Sequence, residues 1–291
     1  MAAQVQPRGE GEGPQLRLAV LIDADNAQAA VIEQLLAEVA RYGEATVRRI
    51  YGDFTAPTSA SWKKVLQRNA IKPVQQFAYS TGKNATDSTL IIDAMDLLYT
   101  RRFDGFCLVT SDSDFTGLAM RLREEGLTVL GFGEKKTPEA FRNACHRFVF
   151  VEVLREGART GGSGRPGAAD AAPDADDEDE PRSVATPPAR DDEREQAAGA
   201  VPAAAAADAA TRPKFPKRFV LTALEQSVDD EGWAHLSTFG NYLLKLQPDF
   251  DPRLYGYRKL SDLVRARTDL FQTEERRGSG SSQKVLYLRA R

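Results

Sequence analysis

At 291 residues, 42% hydrophobic and 28% charged, the chain has the composition of an ordinary soluble protein and enough length for one to three domains. It has no apolar run near the roughly 20 residues that cross a bilayer, no apolar signal core at its start, and with two Cys and two His neither a disulfide framework nor a structural zinc site, so a cytoplasmic protein without a membrane partner is expected. The net charge of −3 is uneven: 156–210 carries 5 Lys/Arg against 13 Asp/Glu and 211–291 carries 15 against 10, so the acidity sits mid-chain and the C-terminal part is basic.

Residues 1–15 are Gly, Pro and polar, the make-up of a disordered tail. The run LAVLI at 18–22 then stops in Asp23-Ala24-Asp25-Asn26, as a buried strand of a parallel sheet would. Helical spacing over 27–42 ends at Gly43, a strand is predicted over 46–51, and 59–69 reads as a helix with Trp62, Val65 and Leu66 on one face. A third strand over 72–79 leads through a polar loop to Thr86, which can cap a helix running from Asp87 to about Arg101. A fourth strand, 105–110, ends in Ser111-Asp112-Ser113-Asp114. A helix over 115–125, a strand over 127–132, a helix over 137–145 and a last strand over 148–154 follow. This alternation predicts an α/β domain over 16–155, with a mostly parallel sheet covered on both faces. Residues 156–213 hold almost no large apolar side chains and cannot offset their chain entropy; as a coil linker of some 55 residues they would span about 40 Å r.m.s.. From 214 to 291, helical patterns beginning at Phe219 and over 236–246 and 260–267, with a strand over 284–289, suggest a small winged helix-turn-helix-like module.

Four acids fall where chemistry is expected. Asp23 ends the first strand, Asp112 and Asp114 follow the fourth, and Asp87 opens the long helix between them. In a doubly wound sheet the first and fourth strands are neighbours at the switch point, where ligands gather beyond the carboxyl ends. Clustered carboxylates repel unless a cation sits among them, and all-oxygen ligands favour Mg²⁺ or Mn²⁺ over zinc. Such ions activate water and stabilise phosphoryl transfer, which points to a metal-dependent phosphodiesterase. Each acid also has an ordinary role: Asp112 or Asp114 can cap the next helix, and Asp93 and Asp96 can lie on a solvated face, Asp93 being about 600° around the helix from Asp87.

LIDADN, GKNATDSTLIIDAMDLL and LVTSDSDFTGLAMRLREEGLTVLGFG together resemble the NYN family of PIN-like ribonucleases over residues 16–155. The resemblance implies a PIN-like three-layer α/β/α fold and Mg²⁺- or Mn²⁺-dependent RNA cleavage, expected to be endonucleolytic. It assigns metal binding and catalysis to Asp23, Asp87 and Asp112, with Asp114 joining the catalytic set and Asn26, Lys83, Asp93 and Ser111 supporting. Asp25 lies outside the regular family positions. The Asp-x-Asp pair also resembles the start of haloacid-dehalogenase-like phosphatases, where the first Asp is a nucleophile, but Asn26-Ala27 and the SDSD run fit that pattern poorly.

In the basic module, GWAHLSTFGNYL and YGYRKLSDLV resemble the LOTUS (OST-HTH) domain, which implies a winged-helix fold binding RNA or, in some members, a protein partner. Candidate RNA contacts are Lys245, Arg253, Tyr255, Tyr257, Arg258 and Lys259, cations for phosphate and rings for unpaired bases. Trp233, Leu236, Phe239, Tyr242 and Leu260 are expected in the core. DNA remains open as a ligand, since helix-turn-helix units also read duplexes. The reading is thus a two-domain ribonuclease whose basic tail targets RNA on a flexible tether. The alternative is a catalytically idle RNA-binding or adaptor protein.

Overall fold

A computed structural model describes residues 15–55, 60–77, 85–160, 213–277 and 284–291. The expected tail 1–15 lies outside them except for its last residue, as do 161–212 of the expected linker and Lys83.

The first strand, β1 (Leu16–Asp23), is buried from Leu18 to Asp23, so both of its faces must be covered. Alternation along it feeds two separate cores. Ala19 and Leu21 join a cluster with Leu90, Ala94, Leu118, Leu122 and Phe141, whereas Leu18, Val20 and Ile22 pack with Ile32, Leu35, Val39, Trp62 and Leu154. The first cluster belongs to α3 (Ala85–Tyr99), α4 (Thr116–Glu124) and α5 (Glu139–Ala144). The second belongs to α1 (Ile32–Val39), α2 (Ala60–Arg68) and α6 (Val151–Thr160). Between the helix layers lies a six-stranded, wholly parallel sheet in the order β3-β2-β1-β4-β5-β6, with β2 (Gly43–Gly52), β3 (Lys72–Gln75), β4 (Gly105–Val109), β5 (Thr128–Gly133) and β6 (Arg147–Phe150). This is the expected three-layer α/β/α arrangement, and it puts β1 beside β4.

Local departures have local causes. Gly43 does not stop a helix; it opens β2 so close to β1 that a Cβ there would lie 2.3 Å from the Leu16 carbonyl oxygen. Thr86 sits inside α3 rather than capping it. The strand predicted to reach Leu154 ends at Phe150 because its partner β5 ends at Gly133, and Val151, Val153 and Leu154 are buried from a helix instead.

In the C-terminal part, α7 (Lys217–Glu225), α8 (Leu236–Leu246) and α9 (Leu260–Ala266) enclose a core of Val220, Leu224, Phe239, Leu243, Phe250, Leu263, Phe271 and Leu288. An antiparallel sheet, β7-β9-β8, closes it: β7 (Ala234–His235), β8 (Phe271–Arg277) and β9 (Lys284–Ala290). Among the described residues no helix is long and apolar enough to cross a membrane.

Candidate metal centre

The site grows out of the β1–β4 register. Ile22 pairs with Val109, so Asp23 and Thr110 leave the sheet side by side. Asp23 is fully buried. Its Oδ2 accepts from Thr110 Oγ1 at 2.9 Å and Asn26 Nδ2 at 2.8 Å, and its Oδ1 accepts from the Asp25 amide at 3.0 Å. Burial pushes the Asp23 carboxyl above its ordinary pKa, while those three donors pull the other way. The Thr110 hydroxyl also accepts from the Asp112 amide at 3.1 Å, so a single oxygen fixes the first acid and the loop that carries the second.

Asp112 caps a 3-10 turn, Ser113–Phe115, its Oδ1 accepting from the Asp114 amide at 2.9 Å. The capping role leaves Asp112 able to serve as a ligand as well, because a carboxylate has lone pairs to spare. Asp87 enters from the first turn of α3, and one oxygen from each of Asp87, Asp112 and Asp114 lies within 4.8 Å of the others. Burial first, then the negative charges of Asp23, Asp112, Asp114 and Asp25, push the Asp87 carboxyl up to about 6. No Lys or Arg among the described residues bridges Asp87 or Asp112. An all-oxygen cluster of this kind fits a hard divalent cation and does not fit a thiolate or imidazole metal.

The supporting residues divide. Asn26 orients Asp23, and buried Ser111 accepts the Glu134 amide at 2.9 Å, tying the acidic loop to the end of β5. Asp25 is exposed and serves Asp23 through its backbone. Asp93 faces elsewhere: it accepts from Arg49 and from the Tyr51 hydroxyl, anchoring α3 to β2. Burial and this contact raise the Tyr51 pKa. Thr110 is the member that pattern reading missed; a hydroxyl ending a strand whose neighbour ends in an acid is the signal.

The predicted RNA-contact residues divide as well. Lys245, Arg258 and Lys259 are exposed, and among the described residues no carboxylate pairs with them. Arg258 and Lys259 line a cavity of about 640 Å³ with His235, Ser237 and Lys284, a separate place from the carboxylates. Arg253 is occupied by Asp251 and Glu38. Tyr255 stacks edge-on with Phe215 and beside Phe250, and Tyr257 packs on the same core. The expected core residues Trp233 and Phe239 are buried, with Leu236, Tyr242 and Leu260 packed against that core.

The NYN domain family matches residues 17–152, and the OST-HTH/LOTUS domain family matches residues 211–283. An uncharacterized protein of Nitrosomonas europaea, solved by NMR, is 64% identical over 34% of this chain and 92% of its own, with a TM-score of 0.28. A protein of unknown function from Vibrio parahaemolyticus is 18% identical over 47% of this chain and 93% of its own, with a TM-score of 0.41. An NMR structure from Chromobacterium violaceum is 33% identical over 28% of this chain and 85% of its own, with a TM-score of 0.23. No curated protein matches the chain.

Proposed function

We propose that this chain, an NYN-domain protein with a C-terminal OST-HTH/LOTUS domain, hydrolyses RNA phosphodiester bonds at Asp23, Asp87, Asp112 and Asp114 with Mg²⁺ or Mn²⁺ bound. The NYN match, which implies a PIN-like ribonuclease family, supports this reading. The observation that carries the reading is the meeting of Asp87, Asp112 and Asp114 oxygens within 4.8 Å, beside the buried Asp23 and with no Lys or Arg bridging Asp87 or Asp112 among the described residues.

The divalent ion supplies water activation and charge stabilisation at the scissile phosphate. The chain's own groups do the rest. Asp87 and Asp112 would hold the cation from two different elements, a helix start and a strand-end loop, with Asp114 as a third oxygen donor. Asp23, gripped by Thr110, Asn26 and the Asp25 amide, presents a fixed carboxylate that need not reorganise as charge develops. The exposed cations Lys245, Arg258 and Lys259 attract the RNA backbone, and that attraction weakens with salt.

A cleavage assay on end-labelled single-stranded and hairpin RNAs, with Mn²⁺, Mg²⁺ or chelator, tests the reading. Metal-dependent cleavage lost in Asp112→Asn supports it. Undiminished cleavage in the variant removes Asp112 from the site, and no metal-dependent cleavage of any RNA favours an adaptor that binds RNA without cutting it. Internal fragments, rather than single nucleotides, would mark endonucleolytic action.

A further inference from the structure

The C-terminal domain carries a second set of acids, and these are paired. The segment 247–255, which follows α8 and ends in the 3-10 turn Pro252–Tyr255, lies against the NYN domain. The Arg253 guanidinium donates to both oxygens of Glu38, at 3.1 and 3.0 Å, and to Asp251 at 2.7 Å. Arg142 pairs with Asp249, and Arg147 lies 3.8 Å from Asp251. The Phe148 amide of edge strand β6 donates to the Pro248 carbonyl at 2.9 Å, and Leu254 packs on the α3–α4–α5 core. Glu38, Asp249 and Asp251 are 5%, 5% and 3% exposed. The described residues on both sides of the linker form one compact unit.

A tail on a loose tether has no use for buried, matched charges. Removing carboxylates from water is costly unless geometry and hydrogen bonds compensate, and here a bidentate guanidinium and two further arginines face them. Pro248 also covers the open backbone of β6, the kind of edge that otherwise recruits another strand. We propose that residues 213–291 are a permanent second lobe of the NYN domain, clamped by segment 247–255, and not a freely tethered tail.

The clamp grips the N-terminal end of the sheet. Glu38 ends α1 just before β2 begins, and Arg147 begins β6, whereas Asp23 and Asp112 follow the strands' carboxyl ends. The eight residues of β1 separate the two ends by about 26 Å at the usual rise per residue. Taken with the ribonuclease reading, this sets a minimum reach for an RNA held by the second lobe and cut at the acids. The clamp itself does not depend on that reading.

The test uses the full chain with a specific protease site inserted between 161 and 212. After cutting, the two pieces should co-elute on gel filtration in 0.15 M salt. Asp249→Arg should weaken their association on the order of 30-fold or more, as loss of one partner of a buried pair does, and Arg142→Asp combined with Asp249→Arg should restore it. Restoration also shows that Asp249→Arg separated the pieces without unfolding either one. Separation of the cut wild-type pieces would overturn the clamp, and so would unchanged co-elution in the charge-reversed single variant.

Discussion

Two groups of acids sit at opposite ends of one sheet and have opposite fates. At the carboxyl ends, Asp87, Asp112 and Asp114 converge without a bridging guanidinium at Asp87 or Asp112 among the described residues, and Asp87 is pushed up to about 6. At the amino ends, Glu38, Asp249 and Asp251 are more deeply buried, yet each meets an arginine. Burial works against the charge on Arg253, but hydrogen bonds to Asp251 and Glu38 outweigh it and hold its pKa above the ordinary value. All six side chains are carboxylates. At the amino ends the arginines make the acids part of the fold's own framework, whereas the acids at the carboxyl ends are the ones proposed to take a cation.

The contrast can be broken from either side. Asp112→Asn should give the largest effect, a loss of metal-dependent cleavage of about 10²–10³-fold, corresponding to several kcal/mol of transition-state stabilisation. Cutting rates on one RNA at saturating Mn²⁺ measure it. Thr110→Val keeps the shape but removes the donor to Asp23 and the acceptor of the Asp112 amide. Mn²⁺ affinity by calorimetry should fall about 10- to 100-fold, as with other groups that orient ligands. An unchanged affinity would show that Thr110 only supports the fold.

Acid pH should sharpen the difference further. A carboxyl raised from its ordinary 3.8 to about 6 favours the protonated form in the folded state. The metal-free protein therefore loses stability from Asp87 as pH rises from about 4 to 6, and a bound cation reverses that sign by favouring the ionised form. Mn²⁺ affinity should fall as pH drops below about 6, with proton release on binding near that pH. An affinity flat between pH 5 and 7 would contradict it. The smallest effect is expected from Asp93→Asn, which weakens the tie of α3 to Arg49 and Tyr51. Thermal unfolding should report a loss of roughly 1 to 2 kcal/mol, as for a partly screened pair, with the RNA cleavage rate changed far less than by Asp112→Asn.

Much of this architecture is legible in the residues because it is local. A run such as LAVLI ending in an acid dictates both a buried strand and a carboxylate at its end, and the strand–helix alternation sets β1 beside β4. What escaped depends on partners far along the chain. Arg253 reads as a phosphate contact until Glu38, 215 residues away, is found to accept its guanidinium. Asp93 reads as a supporting acid of the site until Arg49 and Tyr51 face it. Thr110 looks like an ordinary strand residue, because its role exists only through the register with Asp23. The strand β8 hides in FQTEERR, whose charged side chains break the apolar alternation, although a small exposed sheet tolerates them.

The central claim is the proposal that Asp87, Asp112 and Asp114 together bind a divalent cation and that Glu38, Asp249 and Asp251 do not. An anomalous-scattering map from crystals soaked in Mn²⁺ tests it most directly. The account predicts a peak within coordination distance of these three carboxylates and none at Glu38, Asp249 or Asp251. Full-length protein soaked to saturation with no peak among the three, or with Mn²⁺ at the arginine-paired acids instead, would contradict it.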